Sequence, residues 1–264
     1  EYISPQNATI ETVKNQAKKK HKTRTIVLLV LSILFLVAAV VTPIIVLTAK
    51  KKPNYVEENA GDWLLRYNAN ATPKTYDIVR YLGEGKDGKV TIPAKIDGIQ
   101  VNYILANAFN ANANSNMKNI TSIEFEEGSM ISAIGNNAFE GCSRITEITL
   151  PTSVKSVGAY AFRNCTGLEK LYIGNAYGFT FGENALMGAS SLSSIEILGS
   201  YDENGNKTSL GDLGNLGSDN NNLNIIIGEG VNGLNGFVAD GVKTLTVYNF
   251  DELQVNGTEE QLSS

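Results

Sequence analysis

The sequence predicts a repeat solenoid of stacked coils, with a parallel β-sheet on one face and short helical or coil returns on the other, preceded by a single transmembrane α-helix. Three observations predict it. A motif recurs in steps of 23 and 24 residues at Gly135, Gly158 and Gly182, and repeats of that period mean coils that bury a core only by stacking. An uncharged apolar run occupies Ile26–Thr48. The charge reverses across that run: residues 1–52 hold nine Lys/Arg against two Glu, a net of +7, and residues 53–264 hold thirteen Lys/Arg against twenty-five Asp/Glu, a net of −12.

In order, residues 1–25 are expected to form a basic cytoplasmic tail, 26–49 the transmembrane helix, 50–62 a spacer, 63–89 a capping β-hairpin, 90–250 the solenoid (degenerate after 200) and 251–264 a polar tail. The chain begins at Glu1 rather than Met, as expected of a processed chain or a fragment. The 23 residues of Ile26–Thr48 make a helix of about 34 Å, enough for a hydrocarbon core of about 30 Å. Pro43 is the one break, which membrane helices tolerate where neighbouring groups satisfy the freed carbonyl. A cleaved signal peptide is the alternative, but the run is long for one and no A-x-A site follows. A lipoprotein anchor would need a cysteine that is not there. Lys14, Lys18, Lys19, Lys20, Lys22 and Arg24 precede the run and Lys50, Lys51 and Lys52 follow it. Six against three puts the N-terminus in the cytoplasm and the solenoid outside the plasma membrane.

Asn-x-Ser/Thr triplets begin at Asn7, Asn70, Asn119, Asn164, Asn206 and Asn256. In a chain so rich in asparagine, chance accounts for them, and a bacterial origin is the simpler reading.

The clearest repeat is Ile148–Leu171, I-x-L-P-x-S-V-x-x-V-G-x-x-A-F-x-x-C-x-x-L-x-x-L. Ala138, Ala161 and Ala185 share a position, as do Phe139, Phe162 and Leu186, then Cys142, Cys165 and Ala189. An earlier copy uses Ile92, Ile104, Ala108 and Phe109, with extra residues in A-N-A-N-S-N-M; weaker ones lie around Leu223–Ile227 and Val242–Val247. Short strands are expected at Val90–Ile92, Ser122–Phe125, Glu147–Leu150, Lys170–Ile173 and Ser194–Ile197, with alternate residues inward. The small alanine lets coils approach, and the phenylalanine fills the space between the two walls. Trp63–Tyr67 and Tyr76–Leu82 alternate like a hairpin that caps the open end.

This pattern resembles the BspA-like (Treponema-type) leucine-rich repeats of bacterial surface proteins, well over Val90–Ile197 and weakly to about Phe250. Leu186 and Ala189 depart from it, and copies after Ser200 lack A-F-x-x-C. The resemblance implies a surface adhesin or binding module.

Chemistry is argued mostly by absence. The one histidine, His21, lies in the basic leader, so no His-dependent triad or His-containing zinc site can be built in the outer domain. An enzyme is not expected, nor a cofactor, and the acidic body argues against nucleic acid. Cys142 and Cys165 fall in one repeat slot; buried free thiols are favoured because the slot accepts Ala189 and Asn112, with a disulfide as the alternative. D-E-N-G-N from Asp202 reads as a turn, since Leu213 stands where a calcium loop needs a glutamate. G-E-G-K-D-G from Gly83 reads as a turn because a strand rather than a helix follows. Outward positions on the strands form the candidate ligand face: Glu124, Glu147, Thr149, Lys170, Tyr172 and Glu196, with Ser122 and Ser194 beside them. The expected partners are a protein or cell-surface ligand and, through one helix, the membrane. The alternative is a structural accessory subunit among other subunits of a membrane complex.

Overall fold

A computed structural model describes residues 53–210, 213, 223–234 and 242–247. The expected basic tail, transmembrane helix and polar C-terminal tail lie outside the described residues. Among those described, no helix is long and apolar enough to cross a membrane.

The described part starts with three antiparallel strands, β1 (Tyr55–Ala60), β2 (Trp63–Asn68) and β3 (Tyr76–Tyr81). β1 corrects an expectation, because residues 55–60 were assigned to the spacer. Its strand character comes from its partner: β2 would otherwise present an unpaired edge, and Gly61 at φ 58° makes the tight return from Ala60 to Trp63. Lys74 clamps the three strands together. Its Nζ lies 3.3 Å from Glu58 Oε1 and 3.6 Å from the centre of the Tyr67 ring, while the Tyr76 hydroxyl donates to Glu58.

The coils follow: β4 (Lys89–Ile92), β5 (Lys95–Ile96), β6 (Ile99–Ile104), β7 (Ser122–Phe125), β8 (Ala133–Ile134), β9 (Glu147–Leu150), β10 (Ser156–Val157), β11 (Lys170–Ile173), β12 (Thr180–Phe181), β13 (Ser194–Gly199), β14 (Thr208–Ser209), β15 (Leu223–Gly233) and β16 (Val242–Val247). β9, β11, β13, β15 and β16 stack in parallel into the main sheet. Ile148, Leu171, Ile195 and Ile225 stand side by side and buried. β14 joins the far end of β15.

A second parallel ladder, absent from the sequence-based expectation of coil or helical returns, runs β3–β6–β8–β10–β12. It ties the cap to the coils. The repeated glycine follows directly from it: a Cβ on Gly135, Gly158 or Gly182 would sit 2.5–2.6 Å from a backbone nitrogen of the preceding coil. The A-F-x-x-C returns are turns bonded coil to coil, since Phe109, Phe139 and Phe162 each donate their N–H to the next coil's alanine carbonyl at 2.8 Å. The bare alanine methyl makes that approach possible.

Inside, the rings of Phe109, Phe139 and Phe162 stack at 4.9 and 5.3 Å. Tyr81 extends the column 6.0 Å from Phe109, and Leu186 continues it in the fourth coil, buried like the rings. Apolar area removed from water along this column and the inward strand rows supplies the main driving force.

Candidate ligand-binding face

Each main-sheet strand sends alternate side chains away from the core. The register aligns Glu147 with Lys170, Ser194 and Asn224 in one outward row, and Thr149 with Tyr172, Glu196, Ile226 and Thr246 in the next. Glu147, Thr149 and Lys170 are exposed, and Tyr172 and Glu196 are half-buried. Five of the six candidates therefore share one continuous sheet face. Ser194, also expected to face outward, is only 7% exposed; it is a short side chain between the longer Lys170 and Asn224.

Glu124 is the exception. Its strand β7 pairs with β4 in a separate two-stranded sheet, and no ladder joins β7 to β9. The expectation of an unbroken ladder through Glu124 is corrected accordingly. At the end of β7, Glu126 N–H donates to Ile92 carbonyl at 2.9 Å, and Glu126 Oε2 accepts from Ala94 N–H at 2.8 Å. Those bonds pin the end of β7 to the preceding coil. Glu124 itself is engaged with Lys89, Nζ to Oε1 at 2.6 Å. At the seam between β7 and β9 lies a groove of about 590 Å³ lined by Glu124, Glu126, Glu127, Met130, Glu147 and Thr149.

Glu126, Glu127 and Met130 were not singled out from the sequence. E-E-G-S-M looks like an ordinary polar turn, and its one cue was a coil longer than the next. Leu198 was missed because β13 runs two residues past its expected end, to Gly199; that side chain is 49% exposed. Lys89 was missed for lack of a visible partner.

Chemistry elsewhere is sparse. Cys142 and Cys165 are free and buried. Each thiol donates to a phenylalanine carbonyl of the previous coil, Cys142 to Phe109 at 3.2 Å and Cys165 to Phe139 at 3.1 Å. Burial pushes both thiols up, Cys165 from 9.0 to about 12, so neither is poised as a nucleophile. Asp202 makes a turn, its carboxylate accepting from Asn204 N–H, Asn206 N–H and the Asn206 amide. The Asn206 contacts hold its carboxyl below the usual range. Gly83–Gly88 turns into strand β4. Among the described residues no group of three or more His, Cys, Asp or Glu is placed to hold a metal ion.

Residues 107–209 match the BspA type leucine rich repeat region, in six copies. No curated protein matches the chain. Among solved structures the chain is similar to a leucine rich cell surface protein from Faecalibacterium prausnitzii, at 20% identity and TM-score 0.45, covering 78% of this chain and 56% of that one. It is similar to a leucine rich repeat protein of T. pallidum at 21% identity and TM-score 0.40, covering 69% and 86%. A leucine-rich repeat protein from Bacteroides ovatus follows at 18% identity and TM-score 0.37, covering 78% and 66%. This chain thus spans little more than half the length of the Faecalibacterium protein. Its described part is a leucine-rich-repeat fold, mostly β.

Proposed function

We propose that the chain is a membrane-anchored, extracellular leucine-rich-repeat module that binds a protein ligand or mediates adhesion through the face of β9, β11 and β13. The observation that supports this reading is the division of labour within each strand. Inward Ile148, Leu150, Leu171, Ile173, Ile195 and Ile197 are buried in the core, while the outward rows of Glu147, Thr149, Lys170, Tyr172 and Glu196 take no part in it. Such rows give a repeat protein an extended recognition surface, and a tyrosine between charged neighbours is the residue type that interface centres favour. The match of residues 107–209 to a repeat region agrees with that role. Anchoring rests on Ile26–Thr48 and orientation on its flanking lysines. The exposed Leu198 favours a second reading, an accessory subunit packed on other chains of a membrane assembly.

Protease applied to intact cells should remove the solenoid; complete protection overturns the orientation. A benzophenone photo-crosslinker placed at Tyr172 should capture a ligand that the same group at Glu183, on the return side, does not. Equal capture from both sites, or none from Tyr172, refutes this face. A partner that co-purifies in fixed stoichiometry in mild detergent supports the accessory-subunit reading.

A further inference from the structure

The seam between β7 and β9 has features that the rest of the sheet lacks. Its lining holds four carboxylates, Glu124, Glu126, Glu127 and Glu147, and no basic side chain. Glu124 is matched by Lys89 and Glu126 by the Ala94 amide; among the described residues, Glu127 and Glu147 have no ion-pair partner. Both are exposed. The floor is apolar, formed by the buried Ile123 and Ile148 with the partly buried Phe125, and Met130 stands at one end 58% exposed.

The backbone adds a second kind of complementarity. Thr146 and Leu150 carbonyls accept from Glu169 and Gly174 on the β11 side, so by alternation Glu147 and Thr149 turn their peptide groups toward the groove. Glu126 N–H donates to the Ile92 carbonyl on the β4 side, so by the same alternation Ile123 and Phe125 turn their peptide groups toward the groove from the opposite edge. Two strand edges that no ladder joins, four carboxylates and an apolar floor thus meet in one place. Edges of this sort recruit extended chain, and the carboxylates select the sign of its charge.

We infer that this groove is the docking site for an extended segment of a partner protein carrying lysine or arginine side chains. The segment's cations meet Glu127 and Glu147, and its apolar residues rest on Met130 and Phe125. This rests on the reading of the chain as a binding module and specifies where and what it binds. The net −12 of residues 53–264 would steer such a segment toward it.

The test uses the full chain in detergent and a fluorescein-labelled peptide of alternating lysine and valine, with a glutamate–valine peptide as counterpart, read by anisotropy. The basic peptide should bind and the acidic one should not. The double variant Glu127→Gln, Glu147→Gln should weaken binding at least about tenfold, the loss of two charge-assisted contacts. A double variant with the same charge change elsewhere, Glu57→Gln with Glu203→Gln, should leave it within about twofold. Thr149→Lys, which places a cation on the groove wall, should abolish binding and is decisive should the first variant melt early. Equal weakening by both double variants means diffuse attraction to an acidic surface and overturns the proposal. So does failure of the basic peptide to bind. If Tyr172 still captures a cellular ligand while the groove variants leave peptide binding unchanged, the groove assignment falls and the binding-module reading stands. If neither occurs, both fall.

Discussion

Phe139→Ala removes the middle ring of the Phe109–Phe139–Phe162 stack. The ring lies 4.9 Å from Phe109 at an interplanar angle of 14° and 5.3 Å from Phe162 at 3°, and the side chain is fully buried. Truncating a buried phenylalanine costs about 3–5 kcal/mol through lost transfer energy and the cavity left behind. Two ring pairs are lost here rather than one, each worth about 0.5–1.5 kcal/mol beyond area, so the upper part of that range, about 4–5 kcal/mol, is expected. Phe139→Leu copies the solution of the fourth coil at Leu186 and keeps most of the apolar volume; it should cost about 1–2 kcal/mol. Urea unfolding followed by fluorescence reads both. Trp63, the sole tryptophan, lies 6.1 Å from Phe109 and 5.1 Å from Tyr81, so its emission reports on the column itself. If the alanine and leucine variants shift stability equally, or alanine costs under about 1 kcal/mol, the column is not what holds the coils together.

Other outcomes follow from the same packing. Both cysteines should resist a thiol reagent in the folded chain and titrate as two free thiols in denaturant without reductant; thiols appearing only after reduction would mean a bridge. The folded Cys165 thiol keeps its proton to about pH 12 while an unfolded one releases it near 9.0. Its contribution to stability is therefore intact below about pH 9 and lost as pH rises toward 12, and the double Cys→Ala variant should show a shallower loss of stability over that window. Gly158→Ala puts a methyl 2.6 Å from Asn136 N and 2.7 Å from Gly135 C. Forcing those backbones apart should cost about 1–3 kcal/mol, and an unchanged midpoint would show that the second ladder is looser than described.

The repeat spacing of the sequence determined the coil register, the inward rows and the ring column. One reason covers all three: identical neighbours must stack identically to close a shared core, so Ile148, Leu171 and Ile195 could align in only one way. Glu147, Thr149, Lys170, Tyr172 and Glu196 were legible for the same reason, being the positions that alternate with that core. Three other features depended on which strand edges found partners. β1 is a strand because β2 offers it an edge, which Y-V-E-E-N-A does not announce. Beyond β6 the second ladder consists of two-residue contacts such as Ser156–Val157 beside Ala133–Ile134, too short to leave a period-2 trace. The seam is a break in pairing: β7 is bonded to β4, with Glu126 reaching Ile92 and Ala94, 34 and 32 residues earlier, and no ladder joins it to β9. Periodicity is a local property and survives in one dimension; which edges find partners, and where a sheet is interrupted, is settled only when the coils lie on one another.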